Sequence, residues 1–342
     1  RNAGGFQTVG AQIEVFAIDQ RQSPVASSNE NPASFMLAPG AYDVVVKYHH
    51  DVHGQMERTE RKVIIEPGKK TEVSISFNLG EVELTALRNL GGDLAIGSTF
   101  EVYPTVQHEQ PLIKISENPA VFSLTEGTYD ILVTYPHETI GALSKWVEEL
   151  TVTEGQTVTS TVSFKLGILQ ITSFKSTGGY QTVGALIQVY PTNQKAKPLA
   201  STYDNPAMFS LPEGDYDVVA TYNYGMKGRP PLKAIRVLDA ITVFEGETTE
   251  IEVSFGLGEL AIVGLQSNGE ESGDIRVEVY PTFQHDQPIA RFYPDRPEER
   301  AHPLEAGAYD VHVSVWDGPQ ARWQEVWLEG VTILEGEVEE RI

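Results

Sequence analysis

The sequence predicts an all-β protein made of four tandem, seven-stranded β-sandwich domains in an elongated array. Three observations lead to this prediction. A set of sequence markers recurs four times in a fixed order, which is the signature of a repeat architecture. Short segments alternate apolar and polar residues between turn residues, as β-strands do. The third copy, where the strand pattern is clearest, contains no segment with a sustained helical period.

The clearest marker is Gly-x-Tyr-Asp followed by alternating apolar residues. Its glycines are 87, 87 and 93 residues apart, and it comprises Gly40, Tyr42 and Asp43; Gly127, Tyr129 and Asp130; Gly214, Tyr216 and Asp217; and Gly307, Tyr309 and Asp310. Two further markers recur in step with it. A Pro-Gly or Glu-Gly turn occurs at 67–68, 154–155, 245–246 and 335–336. A closing Phe-x-Leu-Gly segment occurs at 77–80, 164–167 and 255–258. These markers divide the chain into repeats 1 to 4, residues 1–80, 81–167, 168–258 and 259–342.

The third repeat shows the strand pattern in full. Its alternating segments are 169–173, 186–190, 198–200, 207–211, 216–222, 235–243 and 250–255. Seven short strands in about 90 residues are typical of a two-sheet sandwich. Alternation along the fifth segment directs Tyr216 into the core and Asp217 outward. Because the Phe-x-Leu-Gly segments leave almost no linker, we expect a stiff array.

One motif carries a resemblance to known families. The Leu-x-x-Gly-x-Tyr segment, Leu211 to Tyr216 in repeat 3, resembles the tyrosine corner of immunoglobulin-like sandwiches. It is also similar to a segment of the carboxypeptidase-regulatory-like (transthyretin-like) modules of prokaryotic surface proteins, and it recurs in every repeat. The resemblance implies immunoglobulin-like or transthyretin-like domains that serve as spacers, stalks or adhesive units.

Charge and composition exclude several classes of function. The net charge of −23 opposes binding to nucleic acid and to anionic membranes, whereas divalent cations, basic surfaces and neutral sugars remain compatible with it. No apolar run approaches the roughly 18 residues that cross a bilayer, so no membrane insertion is expected. The chain has no cysteine and no Asn-x-Ser/Thr sequon, which is compatible with a prokaryotic source.

The sequence contains no catalytic signature. A nucleophile elbow, a Walker loop, a His-Glu-x-x-His segment and a Rossmann glycine pattern are all missing. A catalytic site is also rarely copied four times. We therefore expect a protein that is not an enzyme and needs no cofactor.

The two ends of the chain fall inside repeats. Arg1 aligns with Lys175, so repeat 1 has no counterpart of the opening strand 168–174, and Ile342 aligns with Glu252 within the last strand. Either the sequence is a piece of a longer array, or neighbouring chains exchange strands and assemble head to tail. Strand exchange would require a donor other than a spare opening strand, because the chain carries none.

Three groups of polar residues are candidate sites. His49, Asp51 and His53 alternate along a strand direction and could hold a transition metal, or they could simply end a polar hairpin. His108-Glu109 and His285-Asp286 recur in equivalent loops, as contact points or as hairpin turns kept after duplication. The repeated Asp of Gly-x-Tyr-Asp could hold Ca²⁺ between modules, or could accept hydrogen bonds from a turn.

All four tryptophans lie in repeats 2 and 4. Trp146 and Trp327 occupy equivalent positions, and each precedes an apolar strand position by four residues, so core packing is expected. Trp316 and Trp323 would be exposed if repeat 4 bound a sugar.

These observations together favour an extracellular or cell-surface structural protein, a stalk or filament subunit that associates with itself or with other surface proteins. The alternatives are a noncatalytic array that binds carbohydrate or protein, and a spacer region of a larger surface protein.

Overall fold

The computed structural model describes residues 10–18, 20, 22–192, 194–225, 231–294, 296 and 299–342, and these ranges contain 25 β-strands. The chain divides into two compact units, Arg1–Lys165 with repeats 1 and 2 and Leu166–Ile342 with repeats 3 and 4. The described residues include no helix with the length and hydrophobicity needed to cross a membrane.

The strands are assigned to the four repeats by position, with each opening strand beginning two residues before the boundary that the sequence suggests. Repeat 1 contains β1 (Gln12–Ala17), β2 (Ala26–Ser28), β3 (Gly40–His50) and β4 (Gly54–Ile65). Repeat 2 contains β5 (Leu79–Leu87), β6 (Thr99–Pro104), β7 (Ile113–Ile115), β8 (Ala120–Thr125), β9 (Gly127–His137), β10 (Gly141–Val152) and β11 (Thr157–Ser163). Repeat 3 contains β12 (Leu166–Phe174), β13 (Leu186–Pro191), β14 (Ala200–Thr202), β15 (Ala207–Pro212), β16 (Gly214–Tyr224), β17 (Leu232–Val243) and β18 (Thr248–Ser254). Repeat 4 contains β19 (Leu257–Ile262), β20 (Ile275–Pro281), β21 (Ala290–Phe292), β22 (Ala301–Glu305), β23 (Gly307–Asp317), β24 (Arg322–Ile333) and β25 (Val338–Arg341).

Repeats 2, 3 and 4 share one topology. In repeat 3 a three-stranded sheet runs in the order β15-β12-β18 and a four-stranded sheet in the order β14-β13-β16-β17. The opening strand β12 is therefore central, antiparallel to β15 and parallel to β18. In repeat 4 apolar residues of both sheets form one buried cluster, to which β19, β20 and β23 contribute. The all-β sandwich prediction is confirmed.

Repeat 1 differs from the other repeats, because its described residues include no strand equivalent to β12. Its four strands form one sheet, β2-β1-β3-β4. The segments equivalent to β15 and β18, residues 33–38 and 70–76, have no strand assignment. Phe35 and Leu37 are half-buried, whereas their counterparts Phe209 and Leu211 are fully buried. Among the described residues, this side of the repeat 1 core is therefore less buried than the same side of repeat 3. Residues 1–9, which align with the loop after the opening strand of repeat 3, lie outside the described residues.

One backbone contact explains two of the sequence markers. The Leu-Gly of each Phe-x-Leu-Gly segment starts the opening strand of the next repeat, where the turn glycine donates its N–H to the leucine carbonyl at 2.9–3.0 Å, in the pairs Gly155–Leu79, Gly246–Leu166 and Gly336–Leu257. A Cβ on the strand glycine would meet the turn, at 2.1 Å from the carbonyl oxygen of Phe244 for Gly167 and of Leu334 for Gly258. Close approach of two backbones therefore requires glycine here.

The tyrosine of Gly-x-Tyr-Asp forms the hydrogen bond of a tyrosine corner in every repeat. Its hydroxyl donates to the carbonyl oxygen four residues earlier at 2.7–2.9 Å, in the pairs Tyr42–Ala38, Tyr129–Thr125, Tyr216–Pro212 and Tyr309–Glu305. Burial raises the pKa of Tyr216 to about 12, so this hydroxyl keeps its proton over the whole physiological range.

Candidate functional site

The aspartate of Gly-x-Tyr-Asp clamps a β-bulge. In each repeat one carboxylate oxygen accepts a hydrogen bond from a backbone N–H, with N···O distances of 2.8–3.0 Å. The donor residue has a positive φ and lies where the register of the hairpin shifts. The four donors are Lys62, Glu149, Ala240 and Gly330. The four aspartates are only 2–4% exposed. Asp217 lies on the outer face of its sheet, as predicted, but the bulge covers it.

The alternative to a calcium role, a hydrogen bond from a turn to the repeated aspartate, is present in all four repeats. The carboxylates are engaged by backbone N–H groups inside their own repeat. Within the described part of the chain, no group of three or more His, Cys, Asp or Glu side chains is placed to hold a metal ion.

In repeats 2 and 4 the same aspartate also holds a histidine of the predicted contact loop. His108 Nε2 lies 2.8 Å from Asp130 Oδ2, and His285 Nε2 lies 2.8 Å from Asp310 Oδ2. The loop neighbours Glu109 and Asp286 are exposed.

The electrostatics of this pair keep the aspartate ionised. The N–H groups of Phe283 and Gly330, followed by His285, lower the pKa of Asp310 to about 2. The N–H of Glu149, with a smaller effect from His108, lowers the pKa of Asp130. An ionised carboxylate accepts only, so the histidine Nε2 carries the proton and the ring orientation is set.

Each of these histidines stacks on a tryptophan. The ring centroids of His108 and Trp146 are 4.8 Å apart and nearly parallel at 22°, and Tyr103 packs 5.5 Å from the same indole. Repeat 4 repeats the arrangement at 4.3 Å and 24° for His285 and Trp327, with Tyr280 at 5.3 Å. We call these two groups the aromatic clusters, Tyr103, His108 and Trp146 in repeat 2 and Tyr280, His285 and Trp327 in repeat 4.

The expected core packing of Trp146 and Trp327 is wrong. Their side chains are 42% and 43% exposed, on edge strands β10 and β24. The prediction assumed unbroken alternation up to the apolar positions Leu150 and Val331. The bulge inserts one extra residue between each tryptophan and that apolar position. The tryptophan side chain therefore points to the opposite face of the sheet from the one that alternation predicts.

A polar network borders each cluster. Glu101 accepts hydrogen bonds from the Tyr103 hydroxyl at 2.9 Å and from Lys114 Nζ at 2.7 Å. In repeat 4, Glu278 accepts from the Tyr280 hydroxyl and from Arg291 Nε at the same two distances.

Repeat 4 extends its cluster across the outer face of the four-stranded sheet. His312 packs 4.8 Å from Trp327, and the Arg276 guanidinium lies 4.1 Å over the Trp323 ring. Trp316 is exposed, whereas Trp323 is half-buried. A shallow depression of about 210 Å³ lies on this face, lined in part by Arg276, Glu278 and Arg291.

The structure does not assemble His49, Asp51 and His53 into a metal site. His49 lies on β3 and Asp51 in the following turn, both exposed. His53 instead accepts the N–H of Thr125, in repeat 2, on its Nε2 at 3.1 Å, and its ring stacks on His50 at 5.2 Å. This hairpin end therefore contacts the next repeat.

The His53 contact predicts a loss of stability in acid. Burial lowers the pKa of His53, so the folded state favours the neutral ring that accepts from Thr125. This contribution is present above an unfolded-state pKa of about 6.5 and is lost as the pH falls below it towards the folded-state value. Between pH 7.5 and 5.5 the thermal midpoint of the wild type should fall further than that of His53→Gln. The matched control His49→Gln, at an exposed position, should follow the wild type; identical pH profiles for all three proteins would contradict the prediction.

Comparison with known proteins gives structural neighbours only. No family model and no curated protein sequence matches the chain. Among solved structures, the Bacillus anthracis TIE protein aligns at 14% identity over 97% of this chain and 68% of its own, with a TM-score of 0.24. The minor pilin GBS52 of Streptococcus agalactiae aligns at 12% identity over 51% and 94% with a TM-score of 0.24, and the major pilin subunit BcpA of Bacillus cereus at 10% over 77% and 98% with a TM-score of 0.22. At such TM-scores these neighbours carry no argument about function.

Proposed function

We propose that this chain is a noncatalytic structural component of an extracellular or cell-surface assembly, a stalk or filament subunit built from immunoglobulin-like or transthyretin-like repeats. The observation that supports this proposal most strongly is the way successive repeats are joined inside each unit. Only two residues separate β18 from β19, and Phe77 and Leu79 at the end of repeat 1 both belong to its buried cluster. Repeats joined this closely suit a load-bearing array.

Recurring side-chain contacts fix these junctions. The glutamate of the Glu-Gly turn accepts a hydrogen bond from a serine of the preceding repeat, in the pairs Ser76–Glu154 and Ser254–Glu335. Glu335 also accepts the backbone N–H of Thr177 at 2.6 Å. Arg236 of repeat 3 donates to Glu305 of repeat 4 at 2.9 Å. A junction held from several directions restricts hinge motion between neighbouring repeats.

We further propose that a strand from a neighbouring chain completes repeat 1 and that this contact assembles chains head to tail. Segments 33–38 and 70–76 keep the alternating apolar residues, such as Phe35 and Ile75, that flank the opening strand in the other repeats. An added strand would gain backbone hydrogen bonds on both sides and cover these side chains. In repeat 1 the turn residue is Pro67 instead of glutamate. The hydrogen bond from a serine of the preceding repeat to the turn glutamate therefore cannot form in repeat 1.

A synthetic peptide with the sequence of β12 (Leu166–Phe174) tests strand completion. Added to the intact chain, it should protect residues 33–38 and 70–76 from hydrogen exchange and raise the thermal midpoint. A peptide of the same composition with the alternation broken is the matched control. Equal exchange with both peptides would overturn the proposal.

Electron microscopy of the protein isolated from its source tests assembly. Ordered fibres with an axial rise equal to one or several repeats are expected. Isolated molecules at all concentrations would contradict the filament role and favour a spacer or binding array, for which the exposed aromatic clusters are the specific evidence.

A further inference from the structure

The two aromatic clusters leave large rings exposed at fixed positions. Trp146 and Trp327 lie on the outer faces of their sheets, each with more than 40% of its surface in solvent. Tryptophan combines a wide apolar surface with a polar edge, and exposed rings of this kind mark contact sites. The same arrangement therefore occurs at equivalent positions of alternate repeats.

Each indole is held in place before any ligand arrives. The stacked histidine is fixed by a buried, ionised aspartate, and that aspartate is fixed by backbone N–H groups at the bulge. A platform that is already ordered loses little conformational entropy on binding. Phe283, in the loop of repeat 4, adds a 92% exposed ring on a backbone with φ of 63°, a strained conformation for a bulky residue.

The surroundings of the rings favour one class of ligand. Next to each platform are carboxylate acceptors and cationic donors, Glu101 with Lys114 and Glu278 with Arg291. A sugar ring matches this combination, because its C–H face packs on an aromatic ring while its hydroxyls donate and accept hydrogen bonds. The net charge of −23 opposes nucleic acids and acidic polymers. The charged borders do not suit a continuous apolar peptide.

The other two repeats lack the platform at the same structural positions. The tryptophan lies three residues before the bulge residue with positive φ. At that position repeat 1 has Thr59 and repeat 3 has Val237. In repeat 3, Lys195 replaces the histidine and pairs with Asp217 and Asp239. The clamp therefore serves the fold in all four repeats, and the aromatic additions are specific to repeats 2 and 4.

We propose that the aromatic clusters are two equivalent binding sites for an uncharged oligosaccharide, one in repeat 2 and one in repeat 4. This function is independent of the junctions and of strand completion, so either proposal can fail without the other.

Isothermal titration calorimetry with a panel of neutral hexasaccharides, of gluco-, manno-, xylo- and N-acetylglucosamine type, tests the proposal on the intact chain. At least one of these sugars should bind with two sites per chain. Trp146→Ala and Trp327→Ala should each reduce the stoichiometry to one, and the double variant should lose binding. The thermal midpoint of each variant is measured in parallel and should stay well above the titration temperature, which separates the loss of a site from the loss of the fold.

Val237→Ala is the matched control, since it truncates an exposed residue at the same position of a repeat without a cluster. It should leave the titration unchanged. His108→Lys, which copies repeat 3, should remove the repeat 2 site alone. Absence of binding to every sugar in the panel, or binding that survives in the double variant, would overturn the proposal.

Discussion

Replacement of Phe255 by alanine is expected to lower the free energy of unfolding of repeat 3 by about 3–5 kcal/mol. The ring is fully buried at the end of the closing strand and packs 5.3 Å from the ring of Tyr222. Removing it leaves a cavity in addition to the lost transfer free energy. Hydrogen exchange of β12 and β18 measures the effect locally, which is needed because repeat 3 contains no tryptophan.

Phe244→Ala is the control for this variant. Its ring is 53% exposed, so its removal should change the stability of the same repeat by about 0.5 kcal/mol or less. Comparable increases in exchange for both variants would show that the Phe255 position is not a core position.

Gly258→Ala is expected to destabilise repeat 4 by about 1–3 kcal/mol, the usual cost of overpacking. The new Cβ would lie 2.1 Å from the carbonyl oxygen of Leu334 and 2.8 Å from Cγ2 of Ile333. A shift of either the turn or the strand would break the hydrogen bond that the Gly336 N–H donates to the Leu257 carbonyl across the same contact. Denaturant unfolding followed by tryptophan fluorescence, in a Trp146→Phe background that leaves only the indoles of repeat 4, reports this loss.

Gly273→Ala provides the comparison within the same repeat. A Cβ on Gly273 would have no atom within 4 Å, so unfolding should be unchanged. A destabilisation of Gly273→Ala equal to that of Gly258→Ala would mean that the close backbone contact does not determine the result.

The repeats and their strands were predictable because alternation and turn residues are local signals. The bulge was not, since three of the four bulge residues, Lys62, Glu149 and Ala240, are ordinary side chains in an αL conformation with no sequence signature. That one hidden residue reversed the predicted orientation of Trp146 and Trp327. The pairing of His108 with Asp130 was equally hidden, because it depends on the register between β6 and β9.

The parallel pairing of the first and last strands of a repeat has a mechanical consequence. Seven residue pairs join Ile168–Phe174 to Thr248–Ser254, and the chain enters the sandwich at one end of this pair and leaves at the other. A pulling force applied along the chain therefore loads all of these hydrogen bonds in shear at the same time, instead of opening them one by one. Repeat 2 has seven equivalent pairs between its own first and last strands, and repeat 4 has four among its described residues. Under tension, these parallel pairs are therefore the clamps through which repeats 2 and 3 resist rupture.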